Sequence, residues 1–166
     1  NSNWIQSMDE FYEVLLQIVP IVKAKGLKLV VKEHPSDPRV LSHLHRKHPD
    51  IVFTTGNTEM LIKRAQAIMT LNSSVGIESI MLEKKVIVLG EACFKLSGVV
   101  QMASSIEQLK LCIVKLDEWN PSQQTLRGFL GYMADQYLIP GSWKDQMGCV
   151  SDQHLLAVEK RLKQGV

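Results

Sequence analysis

One doubly wound α/β domain, with a parallel sheet of about five strands flanked by helices, is the fold this sequence predicts. Three observations lead there. Short apolar runs alternate with amphipathic stretches at intervals of about 15 to 20 residues, the rhythm of βα units. The loops leaving those runs are small and polar, and in such sheets ligands gather at the strand C-terminal ends. The 166 residues, 45% hydrophobic and 22% charged, make a globular chain long enough to bury one proper core. A single domain over residues 1–166 is therefore expected. Because Asn1-Ser2-Asn3 leads almost directly into a helix, the chain is expected to be a fragment of something longer.

In order, Met8 to Lys25 places Phe11, Val14, Leu15, Ile18 and Val22 at helical spacing. Ser7 is its N-cap candidate with Glu10 three residues on, Pro20 is expected to kink or divide it, and Gly26 to end it. Leu27 to Lys32 reads as a strand, followed by the rigid loop Glu33-His34-Pro35-Ser36-Asp37-Pro38. A short helix over Val40 to Lys47, a strand over Ile51 to Thr54 and a helix over Thr58 to Arg64 come next. Asn57 or Thr58 caps the last of these. Ala67 to Leu71 is the following strand.

Thr70 to Leu89 is the central unit: a strand end, a small-polar turn, a short helix and a new strand from Val86. Asn72, Ser73 or Ser74 can accept a bond from an unpaired backbone N–H and so cap the helix. Ile77, Ile80 and Met81 are expected to face the sheet, and Gly76 to let a ligand or another backbone come close. A strand feeding a helix whose first turn offers N–H groups and hydroxyls suits an anion, and Glu78 one turn in could reach ribose hydroxyls. The plainer possibility is an ordinary βαβ crossover with a good cap. Beyond it come a loop over Gly90 to Gly98, a strand over Val99 to Met102, and a capped helix from Ser104-Ser105 to Glu118. Asn120-Pro121-Ser122 then breaks the chain before helices over Gln123 to Leu138 and Ser151 to Lys163.

Composition excludes several functions. A net charge of +2 is too small to argue for nucleic acid or a membrane surface. Cys93, Cys112 and Cys149 are widely spaced and odd in number, which supports neither a disulfide framework nor a zinc site, so a reducing, cytoplasmic setting is expected. No run of about 18 apolar residues exists to span a membrane. Nucleophile-elbow, phosphate-loop and dinucleotide Gly-x-Gly-x-x-Gly patterns are all missing.

Three strand-end loops remain as candidate chemistry: Glu33-His34-Pro35-Ser36, Asn72-Ser73-Ser74-Val75-Gly76 and Gly90-Glu91-Ala92-Cys93-Phe94. Pro35 biases His34 toward an extended backbone, and an imidazole held there can bond or protonate a phosphate oxygen near neutral pH. Alternatively it is satisfied by a neighbouring backbone group. His43, His45 and His48 lie in or just after a basic helix without carboxylate or cysteine partners, so a solvated face accounts for them better than a metal. Lys32, Arg64 and Lys95 could neutralise phosphate, though exposed lysines usually only solvate.

Taken together, Lys32-Glu33-His34-Pro35-Ser36-Asp37, Asn72-Ser73-Ser74-Val75-Gly76-Ile77-Glu78 and Val86-Ile87-Val88-Leu89-Gly90-Glu91 resemble a known family. The stretch from about Leu27 to Gly98 is similar to the C-terminal, nucleotide-sugar-binding half of the capsule polysaccharide biosynthesis and export proteins. Tyr132 to Gly141 resembles that family's closing helix and turn. The family is similar to Kdo transferases of the two-Rossmann (GT-B) fold that use CMP-Kdo. The resemblance implies a Rossmann-like donor domain of a bacterial surface-polysaccharide glycosyltransferase. It implies that His34 contacts the CMP phosphate and stabilises it as leaving group, with Glu33 and Pro35 in the same motif. Ser73 and Ser74 would hold that phosphate beside Asn72 and Gly76, Glu78 would bind ribose, and Gly90 and Glu91 would lie near the cytidine.

The resemblance further implies a nucleotide-sugar donor, CMP-linked, with no other cofactor and no metal. Its partners are an N-terminal acceptor domain outside this chain and capsule assembly or export proteins, and its place is the cytoplasm, peripheral at the inner face of the membrane. The chain alone is expected not to turn over. Two other functions compete. A sugar-nucleotide epimerase half of the same fold would use a UDP-sugar, with more carboxylates and arginines about the phosphate than occur here. A non-catalytic capsule polysaccharide export or binding module would be indifferent to nucleotides.

Overall fold

A computed structural model of the chain describes residues 4–32, 48–139 and 149–163. They fall into two compact units, Asn1–Ser122 and Gln123–Val166. The first contains all five described strands.

Its opening helix, α1 (Met8–Ala24), is capped as the sequence predicts. The Ser7 hydroxyl accepts the Glu10 N–H at 3.1 Å, while the Glu10 carboxylate reaches back to the Gln6 N–H at 2.6 Å. Pro20 does not divide the helix. At its end Gly26 takes φ +70°, its N–H bonding to Lys23 and that of Leu27 to Val22. That is the Schellman arrangement, which ties up two terminal carbonyls. It also commits Leu27 to the cap, so the strand predicted from Leu27 begins at Leu29.

The strands are β1 (Leu29–Lys32), β2 (Ile51–Thr54), β3 (Ala67–Thr70), β4 (Lys85–Val88) and β5 (Gln101–Met102). Every pairing is parallel, as βα alternation requires. They form a β1–β2 pair and a β3–β4–β5 triple rather than one continuous ladder. With four residues or fewer per strand, few backbone bonds could join the two sheets, and side-chain packing joins them instead. Val14, Leu15, Ile18 and Val22 of α1 meet Ile51 and Phe53 of β2, Ile87 of β4 and Leu89 just after it, and Leu109, Ile113 and Leu116 in one apolar cluster. On the opposite face of β1–β2, Val30 is 46% and Val52 43% exposed. The helix expected over Val40 to Lys47 lies outside the described residues.

Between the strands run α2 (Thr58–Arg64), capped by the Asn57 side chain, and α3 (Val75–Met81); α4 (Ile106–Val114), capped by Ser105, follows β5. The strand expected from Val99 is shorter than predicted, because the N–H groups of Val99 and Val100 both turn back to the Leu96 carbonyl. Lysines bind the helix ends at the opposite edge of the sheets from the polar loops. Lys84 donates to the carbonyls of Lys63 and Ala65 at the end of α2, and Lys85 to that of Leu116. Lys25 donates to the Val114 carbonyl and pairs with Asp117 at 2.6 Å.

The second unit carries α5 (Gln123–Tyr132), a π-helical turn over Met133–Tyr137, and α6 (Asp152–Lys163). The helix predicted to run to Leu138 therefore changes pitch at Met133. Leu126, Phe129 and Met133 are buried, and the Arg161 guanidinium of α6 donates to the carbonyls of Gln136 and Leu138 at the end of the π turn. Among the described residues no helix is long and apolar enough to cross a membrane.

Candidate functional site: the loops leaving β3 and β4

β3 and β4 are adjacent and parallel, with Thr70 opposite Val88, so the loops at their C-terminal ends emerge side by side. Thr70 organises the first loop. Its buried side chain accepts the Ser73 N–H at 3.2 Å, and its carbonyl accepts the Leu89 N–H at 2.8 Å. The loop is thereby pinned to the sheet at its root. Sequence reasoning missed Thr70, for which the signal was a hydroxyl placed three residues before the serine pair.

Ser73 and Ser74 share the work that one cap residue usually does. The Ser73 hydroxyl accepts the Val75 N–H at 3.3 Å and its carbonyl the Gly76 N–H at 2.9 Å. Ser74 occupies the cap position with helical backbone (φ −54°, ψ −21°) and makes no side-chain cap bond. Asn72, Ser73, Ser74 and Glu78 are all exposed. The turn thus presents two hydroxyls and an amide to solvent, with Glu78 in the first turn of α3.

α3 buries Gly76, Ser79 and Ile80, three positions that share one helical face. Ser79, fully buried, is satisfied by its hydroxyl donating to the Val75 carbonyl at 2.6 Å. Met81, expected to face the sheet, is instead 62% exposed, because it stands a third of a turn off that face. Gly76 differs from expectation as well. The space a Cβ would occupy there is filled by the ring of Phe94, which is 1% exposed. The close approach that needs a glycine at 76 is by this chain's own aromatic side chain.

Phe94 belongs to the second loop, where Gly90 is buried and Glu91 exposed. The Glu91 carboxylate accepts a bond from Lys95 at 2.7 Å, so the lysine considered for phosphate is held by a carboxylate four residues away. Phe94 is the other residue whose role the sequence concealed; its signal was a lone aromatic between Gly90 and Gly98. The structure therefore brings together Asn72, Ser73, Ser74 and Gly76 with the Gly90–Phe94 loop. Glu33, His34 and Pro35 lie outside the described residues, which reach Lys32 at the end of β1.

A model of the family described as capsule polysaccharide biosynthesis protein matches residues 3–143. The chain belongs to this family. It is also similar to Protein FixF of Sinorhizobium fredii (strain NBRC 101917 / NGR234), with 32% identity over 146 residues, 87% of this chain and 36% of FixF. The chain thus spans about a third of the length of that relative. No solved structure matches it.

For a capsule polysaccharide biosynthesis protein, the matched stretch contains all three polar loops. Among the described residues no group of three or more His, Cys, Asp or Glu side chains could hold a metal ion. His48 is half-buried and its carbonyl accepts the Ile51 N–H, while His154 sits on α6 with its backbone N–H on the Ser151 hydroxyl. Neither lies in the two loops of the candidate site.

Proposed function

We propose that this capsule polysaccharide biosynthesis protein contributes the donor-binding domain of a surface-polysaccharide glycosyltransferase, and that its donor is a CMP-linked sugar such as CMP-Kdo. One observation carries the proposal: the turn after β3 exposes the Ser73 and Ser74 hydroxyls at a strand C-terminal end, and the Ser74 side chain makes no cap bond. Hydroxyls fixed at such an edge suit a phosphate, whose charge grows as it departs and needs donors already in place. Family membership supplies the setting, a pathway that builds polysaccharide.

In this proposal Ser73 and Ser74 bind the phosphate beside Asn72, Glu78 takes the ribose, and the Gly90-Glu91 segment borders the cytidine. His34, with Glu33 and Pro35, contacts the same phosphate and stabilises it as leaving group. The acceptor and the residues that activate it belong to a further domain, so this chain alone binds donor without turning over. It acts on the cytoplasmic side, alongside the proteins of capsule assembly.

Thermal shift with CMP, CDP, UMP and UDP tests this, since a ligand stabilises the native state that binds it. The expected result is the largest shift with CMP. A larger shift with UDP favours an epimerase-like site, and no shift with any nucleotide at millimolar concentration overturns the proposal in favour of a nucleotide-independent module.

A further inference from the structure

The contact between Phe94 and Gly76 joins two loops that come from different strands and are 18 positions apart in sequence. Phe94 is almost wholly buried although it lies in a loop. Its ring seats on the first turn of α3, directly after Ser73 and Ser74. Neighbouring bonds hold the rest of each loop: Thr70 to Ser73 on one side, Lys95 to Glu91 and the Lys95 N–H to the Ala92 carbonyl on the other. Between the two loops, beyond the β3–β4 ladder, Phe94 on Gly76 is the steric lock.

We infer that Phe94 is a positioning residue for the donor site, fixing the serine turn and the Gly90–Gly98 loop as one rigid unit by seating its ring where residue 76 has no Cβ. This rests on the donor-site proposal for its function but not for its structure. A rigid aromatic suits the task, since a ring has few rotamers to lose and much area to bury. A Cβ at 76 must displace the ring or move the turn, because a buried phenyl has no free volume into which to swing. Either movement carries the hydroxyls away from the geometry in which they meet a phosphate, and misplacement by about 1 Å can cost about a hundredfold in such sites.

A double-mutant cycle on the protein, read with and without CMP, tests this. Gly76→Ala is expected to weaken CMP binding by about tenfold or more, and Phe94→Ala to do likewise. Gly76→Ala/Phe94→Ala should bind no worse than Phe94→Ala alone, because the added Cβ then meets empty space. If the two effects multiply, or if Gly76→Ala leaves the CMP affinity unchanged, the positioning role is overturned. Amide hydrogen exchange without ligand keeps the structural half separate. Gly76→Ala should speed exchange over 72–76 and 90–98 together while leaving α1 unaltered, whereas a uniform change or a quiet 90–98 loop overturns the lock. Should the wild type bind no nucleotide, the donor proposal falls and exchange alone judges the lock. Should Gly76→Ala fail to fold, adding Phe94→Leu should restore folding, since the shorter side chain makes room; failure to do so counts against the contact as the cause.

Discussion

Gly26 and Gly76 are glycines for different physical reasons, and substitution separates them. At Gly26 the backbone has φ +70° and nothing lies within 4 Å of a Cβ, so alanine meets conformational strain alone. Gly26→Ala should cost about 1 kcal/mol in denaturant unfolding and leave nucleotide response intact. At Gly76 the obstacle is a side chain, which sequence could not name. The serines divide in the same way. Ser73 accepts a backbone N–H, so Ser73→Ala should lose about 0.5–1 kcal/mol of stability as well as donor binding. Ser74 makes no cap bond, and Ser74→Ala should leave stability within about 0.5 kcal/mol while still reducing the CMP shift. A Ser74→Ala protein with the full CMP shift sinks that assignment. Thiol chemistry is ordered too. Burial pushes the Cys112 thiol upward, whereas Cys93 and Cys149 are exposed; iodoacetamide followed by peptide mass mapping should therefore find Cys112 modified last.

Elements obeyed sequence rules where their ends were decided locally. The Ser7, Asn57 and Ser105 caps all form as such residues do, each accepting a backbone N–H three residues on. Chain pitch at Met133 was not legible, because π geometry there goes with carbonyls at Gln136 and Leu138 that bond to Arg161, 25 and 23 residues away. In α5, Gly128 is exposed with nothing within 4 Å of a Cβ, so Gly128→Ala should raise stability by about 1 kcal/mol through helix propensity. The lysine-bound end of α4 carries a pH dependence. Hydrogen bonding and charge from Lys25, with added charge from Lys85, hold the Asp117 carboxyl below its ordinary value. A carboxylate with a lowered folded-state pKa stabilises the fold at pH above the usual value near 4 and loses that contribution as pH falls through the lowered one. Glu59, lowered by Lys63, and Glu107, lowered by backbone and Ser105 hydrogen bonds, act in the same direction. Urea midpoints should decline below about pH 4, and Asp117→Asn should flatten part of that decline.

At the scale of the whole molecule, α/β alternation and parallel pairing were legible because hydrophobic period and chain length dictate them. Division of the strands into a pair and a triple was not. It depends on whether four-residue segments can align their backbone groups once their side chains have packed, and that is a property of the assembled core. The same holds for the candidate site: its polar residues were legible as loops, while Thr70 and Phe94, which anchor those loops, were recognisable only from their contacts. If the donor proposal is right, CMP should slow amide exchange at 72–76 and 90–94 in the native protein while leaving Gln123–Tyr132 unaffected. Protection confined to α5 would place the nucleotide elsewhere.

By itself, the sequence determined the βα order, the helix caps and the serine-rich turn after Thr70, together with the family to which the chain belongs. These follow from near-neighbour chemistry, in which a side chain meets backbone within about four residues or repeats with the period of its element. Tertiary structure alone decided that Gly76 is kept for Phe94 and that two sheets share one core. Those outcomes depend on contacts between residues distant along the chain, and packing at near-crystalline density settles such contacts only when the whole unit has closed.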